Sequence, residues 1–253
     1  MILNQFSLSG KTAVITGCSQ GIGNAIAAAM AEAGADVVGV DIVPQPCTKK
    51  KVEETGRCYL ELEADLVDCT AFDDVVDKTI ERFGHLDILV NNAGITRRNM
   101  AVDFSEEAWD AVIAINQKAV FFNAQKAARQ FIKQKTPGKI INIASVNAFE
   151  GGVKVIAYTA AKAAVRMITM AMSNEWASLG INVNAIAPGF TVTQLTEPMR
   201  GEEDRVKEMM TRIPIGRWAK PDDMAGAAVF LASPASSYIS GATIVVDGGY
   251  LGR

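Results

Sequence analysis

The chain reads as a single-domain α/β protein, a doubly wound parallel sheet of about seven strands with helices on both faces. Three observations carry that reading. Short, almost wholly apolar runs alternate along the chain with longer segments of helical periodicity, as strands buried on both faces require. A glycine cluster, Gly17, Gly21 and Gly23, falls between the first such run and the first helical segment. Finally, the 253 residues are 49% hydrophobic and no Pro/Gly/Ser-rich linker or charge block divides them, so one core can hold the whole chain.

The elements follow in order. Thr12–Thr16 (T-A-V-I-T) is the first strand, and the alanine-rich segment 24–33 is a helix stopped by Gly34. Residues 36–40 (D-V-V-G-V) form a second strand ending at Asp41, and 48–55 a second helix ending at Gly56. Lys49, Lys50 and Lys51 within it are followed at once by Glu53 and Glu54, the pattern of a solvated helix start. A third strand covers 57–63, a third helix 70–83, and a fourth strand 86–90, which runs straight into N-N-A-G. Two helical stretches, 105–114 and 120–135, precede a fifth strand at 139–143. A long helix spans 155–179, and a sixth strand, 181–187, breaks at Pro188-Gly189. Residues 190–213 are polar and charged without strong strand pattern, and read as a mobile insertion on the substrate side. A last helix over 221–232 places Asp222 and Asp223 in its first turn, where the helix dipole favours negative charge. A seventh strand, Thr243–Val246, ends in D-G-G. Strands alternating with helices in this way define the parallel, doubly wound class.

Charge and composition narrow the function. A net charge of −3 and a pI near 5.4 argue against nucleic acid or a membrane surface as the main partner. Cysteines 18, 47, 58 and 69 show no C-x-x-C spacing, and His85 is the only histidine, so a zinc site is not expected. A Ser-His-Asp hydrolase would have to use His85. The opening M-I-L-N-Q-F-S-L-S-G-K has no charged region followed by an apolar stretch, and no run approaches about 18 uncharged apolar residues. The expectation is a soluble cytoplasmic protein with reduced thiols.

Tyr158 and Lys162 stand four residues apart, one turn apart on one helix face. An ammonium held beside a phenol favours phenolate, so the lysine is expected to pull the tyrosine pKa down toward neutrality. Such a tyrosine can exchange a proton with a hydroxyl or carbonyl oxygen. Ser145, 13 residues earlier where S-V-N-A-F-E-G-G breaks from K-I-I-N-I-A, offers a second hydroxyl to the same oxygen. The set reads as an alcohol–ketone redox site, although Y-x-x-x-K alone fits equally a surface tyrosine lying along a lysine stem.

Gly17-x-x-x-Gly21-x-Gly23 has the strand-to-helix context of a dinucleotide site, where glycines admit close approach of backbone to pyrophosphate. Its spacing differs from G-x-G-x-x-G. Asp41 lies 18 residues beyond Gly23, where a carboxylate accepts bonds from ribose hydroxyls and repels a 2′-phosphate. Neither Gln20 nor Ile42 and Val43 supplies a cation to neutralise that phosphate, so NAD is favoured over NADP.

T-G-C-S-Q-G-I-G at 16–23, N-N-A-G at 91–94, Ser145 with Y-T-A-A-K at 158–162, and Pro188-Gly189 together resemble the short-chain dehydrogenase/reductase family along essentially the whole chain. The resemblance implies that Ser19, Gln20 and Ile22 of the glycine loop, and Leu66 beside Asp65, line the cofactor. It further implies that Asp65 contacts the adenine ring, that Asn92, Ala93 and Gly94 lie beneath the nicotinamide ribose, and that Pro188, Gly189, Thr191 and Thr193 bind the carboxamide end. Asn116 matches the asparagine supporting a water-linked proton relay to Lys162, which would also bind the ribose. A homotetramer built on long apolar helices is implied as well.

Within that family the likeness runs to the sugar-acid dehydrogenases of pectin and uronate breakdown, carried by the opening M-I-L-x-x-F-S-L, the R-R after N-N-A-G-I-T, I-P-x-G-R-W and V-D-G-G-x-L-x-R. Arg97 and Arg98 follow the fourth strand at the edge where such sheets bind ligands, and an arginine fork suits a carboxylate. Asn147 could meet sugar hydroxyls, and Arg217 is open to a structural role. Three alternatives stand beside this reading: a 3-oxoacyl reductase, a gluconate 5-dehydrogenase-like enzyme, and a cofactor-sensing protein on the same fold.

Overall fold

The computed structural model of the protein describes residues 1–201 and 203–252. Strands β1 (Thr12–Thr16), β2 (Asp36–Asp41), β3 (Tyr59–Glu63), β4 (Ile88–Asn91), β5 (Gly138–Ile143), β6 (Ile181–Pro188) and β7 (Thr243–Val246) form one sheet. Their order is β3-β2-β1-β4-β5-β6-β7, and every neighbouring pair is parallel. Each strand lies within two residues of its expected bounds. The helices are α1 (Gly21–Glu32), α2 (Pro46–Glu53), α3 (Ala71–Phe83), α4 (Glu106–Ile113), α5 (Ala119–Gln134), α6 (Ile156–Trp176), α7 (Glu197–Arg200), α8 (Glu203–Arg212) and α9 (Ala225–Ala232).

Side chains of consecutive strand residues point to opposite faces, so an apolar run feeds two cores at once. Val14 and Ile140 pack with Phe72 of α3, Phe131 of α5 and Met172 of α6 on one face. Their neighbours Ile15 and Ile141 pack with Ile26 and Met30 of α1 and Leu231 of α9 on the other. Each such side chain, fully buried, contributes roughly 1.5–3 kcal/mol. Val14 registers with Val38 of β2 on one side and Leu89 of β4 on the other. Chain connections leave β1 and β4 in opposite directions, and a crevice opens beyond the carboxyl ends of these strands.

The fold departs from expectation in four places. Segments 105–114 and 120–135 do not separate: a π-helical turn, Ala114–Lys118, joins α4 to α5. At its centre the Asn116 amide donates to the carbonyls of Val112 and Ile95, both at 2.9 Å, so the side chain competes for the helix ladder and widens it. The long helix ends at Trp176, and a 3₁₀ turn, Ala177–Leu179, completes the expected span. The segment before α9 is also a 3₁₀ turn, Pro221–Met224. There Asp223 accepts the Lys220 N–H at 2.6 Å and a two-pronged contact from Arg217 at 2.6 and 2.8 Å, which holds its carboxyl down to about 2. Arg217 is thus a structural residue here.

The fourth departure concerns 190–213, expected to lack strong strand pattern, which carries two helices, α7 and α8, that the sequence did not signal. Val206, Met209 and Met210 are spaced three and four apart and are the less exposed of the described positions of α8 amid charged neighbours. Met210 packs against the cluster of Val146, Ile213 and Tyr250. Among the described residues no helix is long and apolar enough to cross a membrane.

Candidate active site

At the carboxyl ends of the strands lies a cleft of about 1190 Å³. Its first wall is the turn from β1 into α1. Asn92, just past β4, ties this turn down: its amide donates to the carbonyls of Thr16 at 2.8 Å and Gly17 at 2.9 Å. The Thr16 hydroxyl accepts the N–H groups of Asn92 and Ala93, both at 3.0 Å. Gly23 does not line the cleft; it lies behind the turn, where a Cβ would come within 2.1 Å of the Gly17 carbonyl oxygen and 2.6 Å of the Asn92 amide. No side chain caps the amino end of α1 among the described residues. Backbone N–H groups at a helix start without a side-chain cap suit a pyrophosphate.

Asp41 ends β2 on the same wall. One carboxylate oxygen accepts the Ser19 N–H at 2.9 Å and the other the Ile42 N–H at 2.8 Å, which locks the group to the glycine turn. Ser19, Gln20, Gly21 and Ile22 line the cleft beside it, with Asp65 and Leu66 beyond β3. Asp65 is exposed and accepts the Val67 N–H at 3.0 Å. Pro188, Gly189, Thr191 and Thr193 line the opposite wall after β6. Thr191 is buried and donates to the Gly189 carbonyl at 3.1 Å, while the Gln20 amide reaches across to Gln194. The pinched turn, the bare helix start and the carboxylate beside it fit a nicotinamide dinucleotide.

The reacting groups stand in the middle of the cleft. Ser145 leaves β5 and caps a short turn, its oxygen accepting the Asn147 N–H at 3.1 Å. Tyr158 and Lys162 project from α6 onto the same space, with Asn116 and half-buried Asn147 beside them. Asn116 Oδ1 is buried without a hydrogen-bond partner among the described residues, and it faces Gly94, where a Cβ would lie 2.5 Å away. Arg97 is exposed on the rim and donates to the Thr96 carbonyl at 3.1 Å; Arg98 is half-buried next to it.

The electrostatics correct one expectation. Burial pushes the Tyr158 phenol up to about 12, against a hydrogen bond with Ser145 that works the other way. Lys162 does not bring it toward neutrality. Its Nζ donates to the Ile143 carbonyl at 2.6 Å and sits 5.5 Å from the centre of the Tyr158 ring. Burial in turn brings the ammonium down to about 8. The phenol therefore holds its proton more tightly than the lysine, poised as an acid, and the lysine is the group nearer neutrality. His85 does not take part: it lies before β4, at the amino ends of the strands and away from the cleft, against the Gly10 carbonyl at 3.2 Å and Asp87 at 3.2 Å.

Among the cleft residues that the sequence did not single out, Glu150, Arg212 and Tyr250 form a charged and hydrogen-bonded group. Arg212 Nη2 donates to Glu150 Oε2 at 3.1 Å and the Tyr250 hydroxyl to Glu150 Oε1 at 2.6 Å. They stand 62 and 100 residues from Glu150, and no local spacing joins them.

Comparison with known proteins agrees with this geometry. The chain is 54% identical over 253 residues, all of both chains, to a 2-dehydro-3-deoxy-D-gluconate 5-dehydrogenase of Dickeya dadantii. It is 51% identical over 253 residues, again all of both, to the protein of the same description in Escherichia coli. A crystal structure of a candidate 2-deoxy-D-gluconate 3-dehydrogenase from Agrobacterium tumefaciens, with bound NADP, superposes with a TM-score of 0.94 at 45% identity, covering 99% of this chain and 100% of that one. A family model described as enoyl-(acyl carrier protein) reductase matches residues 17–251. The matches span the glycine turn, the sheet and the residues around Tyr158 alike, and the chain belongs to the short-chain dehydrogenase/reductase family, as an oxidoreductase acting on CH–OH groups.

Proposed function

We propose that the protein is a cytoplasmic NAD-dependent dehydrogenase that interconverts a secondary alcohol and a ketone on a deoxy keto sugar acid, in the manner of the 2-dehydro-3-deoxy-D-gluconate 5-dehydrogenases it resembles, and so serves pectin or uronate breakdown. The observation that supports this most is one cleft that holds the Ser145, Tyr158 and Lys162 hydroxyls and ammonium, the pinched glycine turn and a cationic rim. When bound, the nicotinamide supplies the hydride acceptor or donor. Ser145 holds the reacting oxygen by its hydroxyl. Tyr158 gives that oxygen a proton in reduction and takes one from it in oxidation. Lys162, cationic below about pH 8, favours the phenolate once the proton has left and passes protons on. The Asn116 oxygen, without a partner among the described residues, supports a water-linked relay to that lysine. Oxidation of a panel of sugar acids with NAD, beside reduction of a 3-oxoacyl thioester, tests the reading: turnover of the thioester alone would overturn it.

The cofactor choice rests on Asp41. No lysine or arginine lines the cleft between Val40 and Val43 or between Ala64 and Val67, so nothing there balances a 2′-phosphate against the fixed carboxylate. The Agrobacterium tumefaciens relative holds NADP, which makes this the sharpest point of comparison. Wild-type protein should prefer NAD in kcat/KM, and Asp41→Ala should move the NAD/NADP ratio toward NADP by about tenfold or more, about 1.4 kcal/mol. A wild type that uses NADP better than NAD removes the basis for NAD.

A homotetramer is part of the same proposal. Met167, Met170 and Ile156 of α6 are 57%, 40% and 42% exposed, an apolar face that a second copy of the helix would cover. Light scattering at micromolar concentration should return four times 27.0 kDa. A monomeric mass would refute the assembly.

A further inference from the structure

Beyond Ser145, the rim of the cleft carries a triangle of side chains from three distant parts of the chain. Glu150 lies on the loop after β5, Arg212 ends α8, and Tyr250 follows β7. Both oxygens of Glu150 are engaged, one by the Tyr250 hydroxyl at 2.6 Å and one by Arg212 Nη2 at 3.1 Å. The guanidinium carbon sits 4.4 Å from the centre of the Tyr250 ring. That ring is itself buried and meets Phe190 edge-on, with centroids 5.0 Å apart. Val146, adjacent to Ser145, packs in one cluster with Tyr250 and with Ile213, adjacent to Arg212. The triangle is therefore mounted on the same small core that seats the reacting hydroxyl.

We infer that Arg212 is the residue that reads the substrate's carboxylate, with Glu150 and Tyr250 as its positioning residues. The inference rests on the sugar-acid reading and names the contact that makes it selective. A guanidinium carries five N–H donors in a flat fork, and the Glu150 contact engages one nitrogen, Nη2. The Tyr250 face fixes the plane of the fork and Glu150 fixes its rotation about that plane. A fork already oriented loses little freedom when a carboxylate meets it. The Arg212 side chain is 51% exposed and lines the cleft, so a ligand can reach it without breaking a closed pair. Arg97, by contrast, is exposed, donates to the carbonyl of its own neighbour and has no aromatic face to fix its plane among the described residues, and the Arg97–Arg98 loop adds positive potential at the rim.

The test is a pair of substrates that differ only in charge: 2-dehydro-3-deoxy-D-gluconate and its neutral carboxamide, oxidised with NAD by the wild type and by R212A, R212K and R98A. The wild type should prefer the acid in kcat/KM by on the order of 30-fold, the worth of a charged hydrogen-bonded contact. R212A should erase that preference by raising KM for the acid, with kcat within about threefold and the amide little changed. R212K, which keeps the charge and loses the fork, should restore only part of it. An R212A protein that keeps the wild-type preference, or loses equally on acid and amide, overturns the inference. Loss of the preference in R98A with its retention in R212A moves the contact to the loop after β4. A wild type that oxidises no sugar acid overturns the functional reading itself, and this inference with it. Should R212A fold poorly, R212Q measured on the same two substrates decides the point.

Discussion

Replacing Tyr158 by phenylalanine should lower turnover by at least about 10³-fold while leaving the fold and dinucleotide binding in place. The change removes one oxygen from a ring that is otherwise held by α6, and general acid–base help of this kind is worth roughly 10²–10⁴. Loss of the hydroxyl also removes its hydrogen bond with Ser145, so one hydroxyl instead of two holds the reacting oxygen and the loss grows. Circular dichroism and a dinucleotide titration establish that the variant is intact; single-turnover kinetics then read the chemical step. Near-normal turnover in an intact variant would remove Tyr158 from the chemistry. The pH profile of the wild type carries the same assignment. Alcohol oxidation by Tyr158 needs its phenolate, and burial holds the phenol up to about 12. Oxidation should therefore still be climbing with pH between 6 and 9, and carbonyl reduction, which uses the protonated phenol, should hold nearly level over the same range. A flat oxidation profile from pH 6 to 9 would show that neither group moves the proton.

Gly23→Ala is expected to have the next largest effect, and by a wholly different route. The added methyl would sit 2.1 Å from the Gly17 carbonyl oxygen, 2.9 Å from its carbon and 2.6 Å from the Asn92 amide. Two of those three atoms belong to backbone already tied by Asn92, so no side chain can swing away to make room. The turn must open by an ångström or more, at an overpacking cost of about 1–3 kcal/mol. Opening it draws the N–H groups at the start of α1 away from the pyrophosphate position. Dinucleotide affinity should drop by about 100-fold or more, with a fall in Tm of several degrees. Calorimetric titration measures the first and thermal unfolding the second. Unchanged affinity would mean that the turn does not hold the cofactor.

What the sequence disclosed and what it withheld divide along chain separation. Tyr158 and Lys162 share a helix face because four residues make one turn, and the strand bounds follow from contiguous apolar runs; both signals are local. The glycine turn was readable for the same reason. The triangle of Glu150, Arg212 and Tyr250 was not, since its members meet only after β5, α8 and the segment beyond β7 have docked on one another. Helix α8 escaped notice because charged residues outnumber Val206, Met209 and Met210, and its apolar face is narrow. The π turn at Asn116 depends on a side chain choosing backbone carbonyls on two segments, Val112 and Ile95, which periodicity does not report. The Tyr158 phenol went the wrong way for a physical reason: spacing shows that a lysine is near, but burial and the direction of its Nζ decide which proton is held more tightly.

The bond from Lys162 to the Ile143 carbonyl makes the two halves of the dyad unequal in how easily they can be given up. Removing the tyrosine hydroxyl takes away chemistry and leaves the sheet untouched. Removing the ammonium also takes a donor from a carbonyl at the end of β5, and a buried acceptor left without its partner costs about 1–3 kcal/mol. A descendant of this chain that abandoned catalysis yet went on gripping its dinucleotide could drift freely at Tyr158, whereas Lys162 would stay under restraint from the scaffold alone. Persistence of the lysine in such a chain would then be a record of architecture and carry no testimony about turnover.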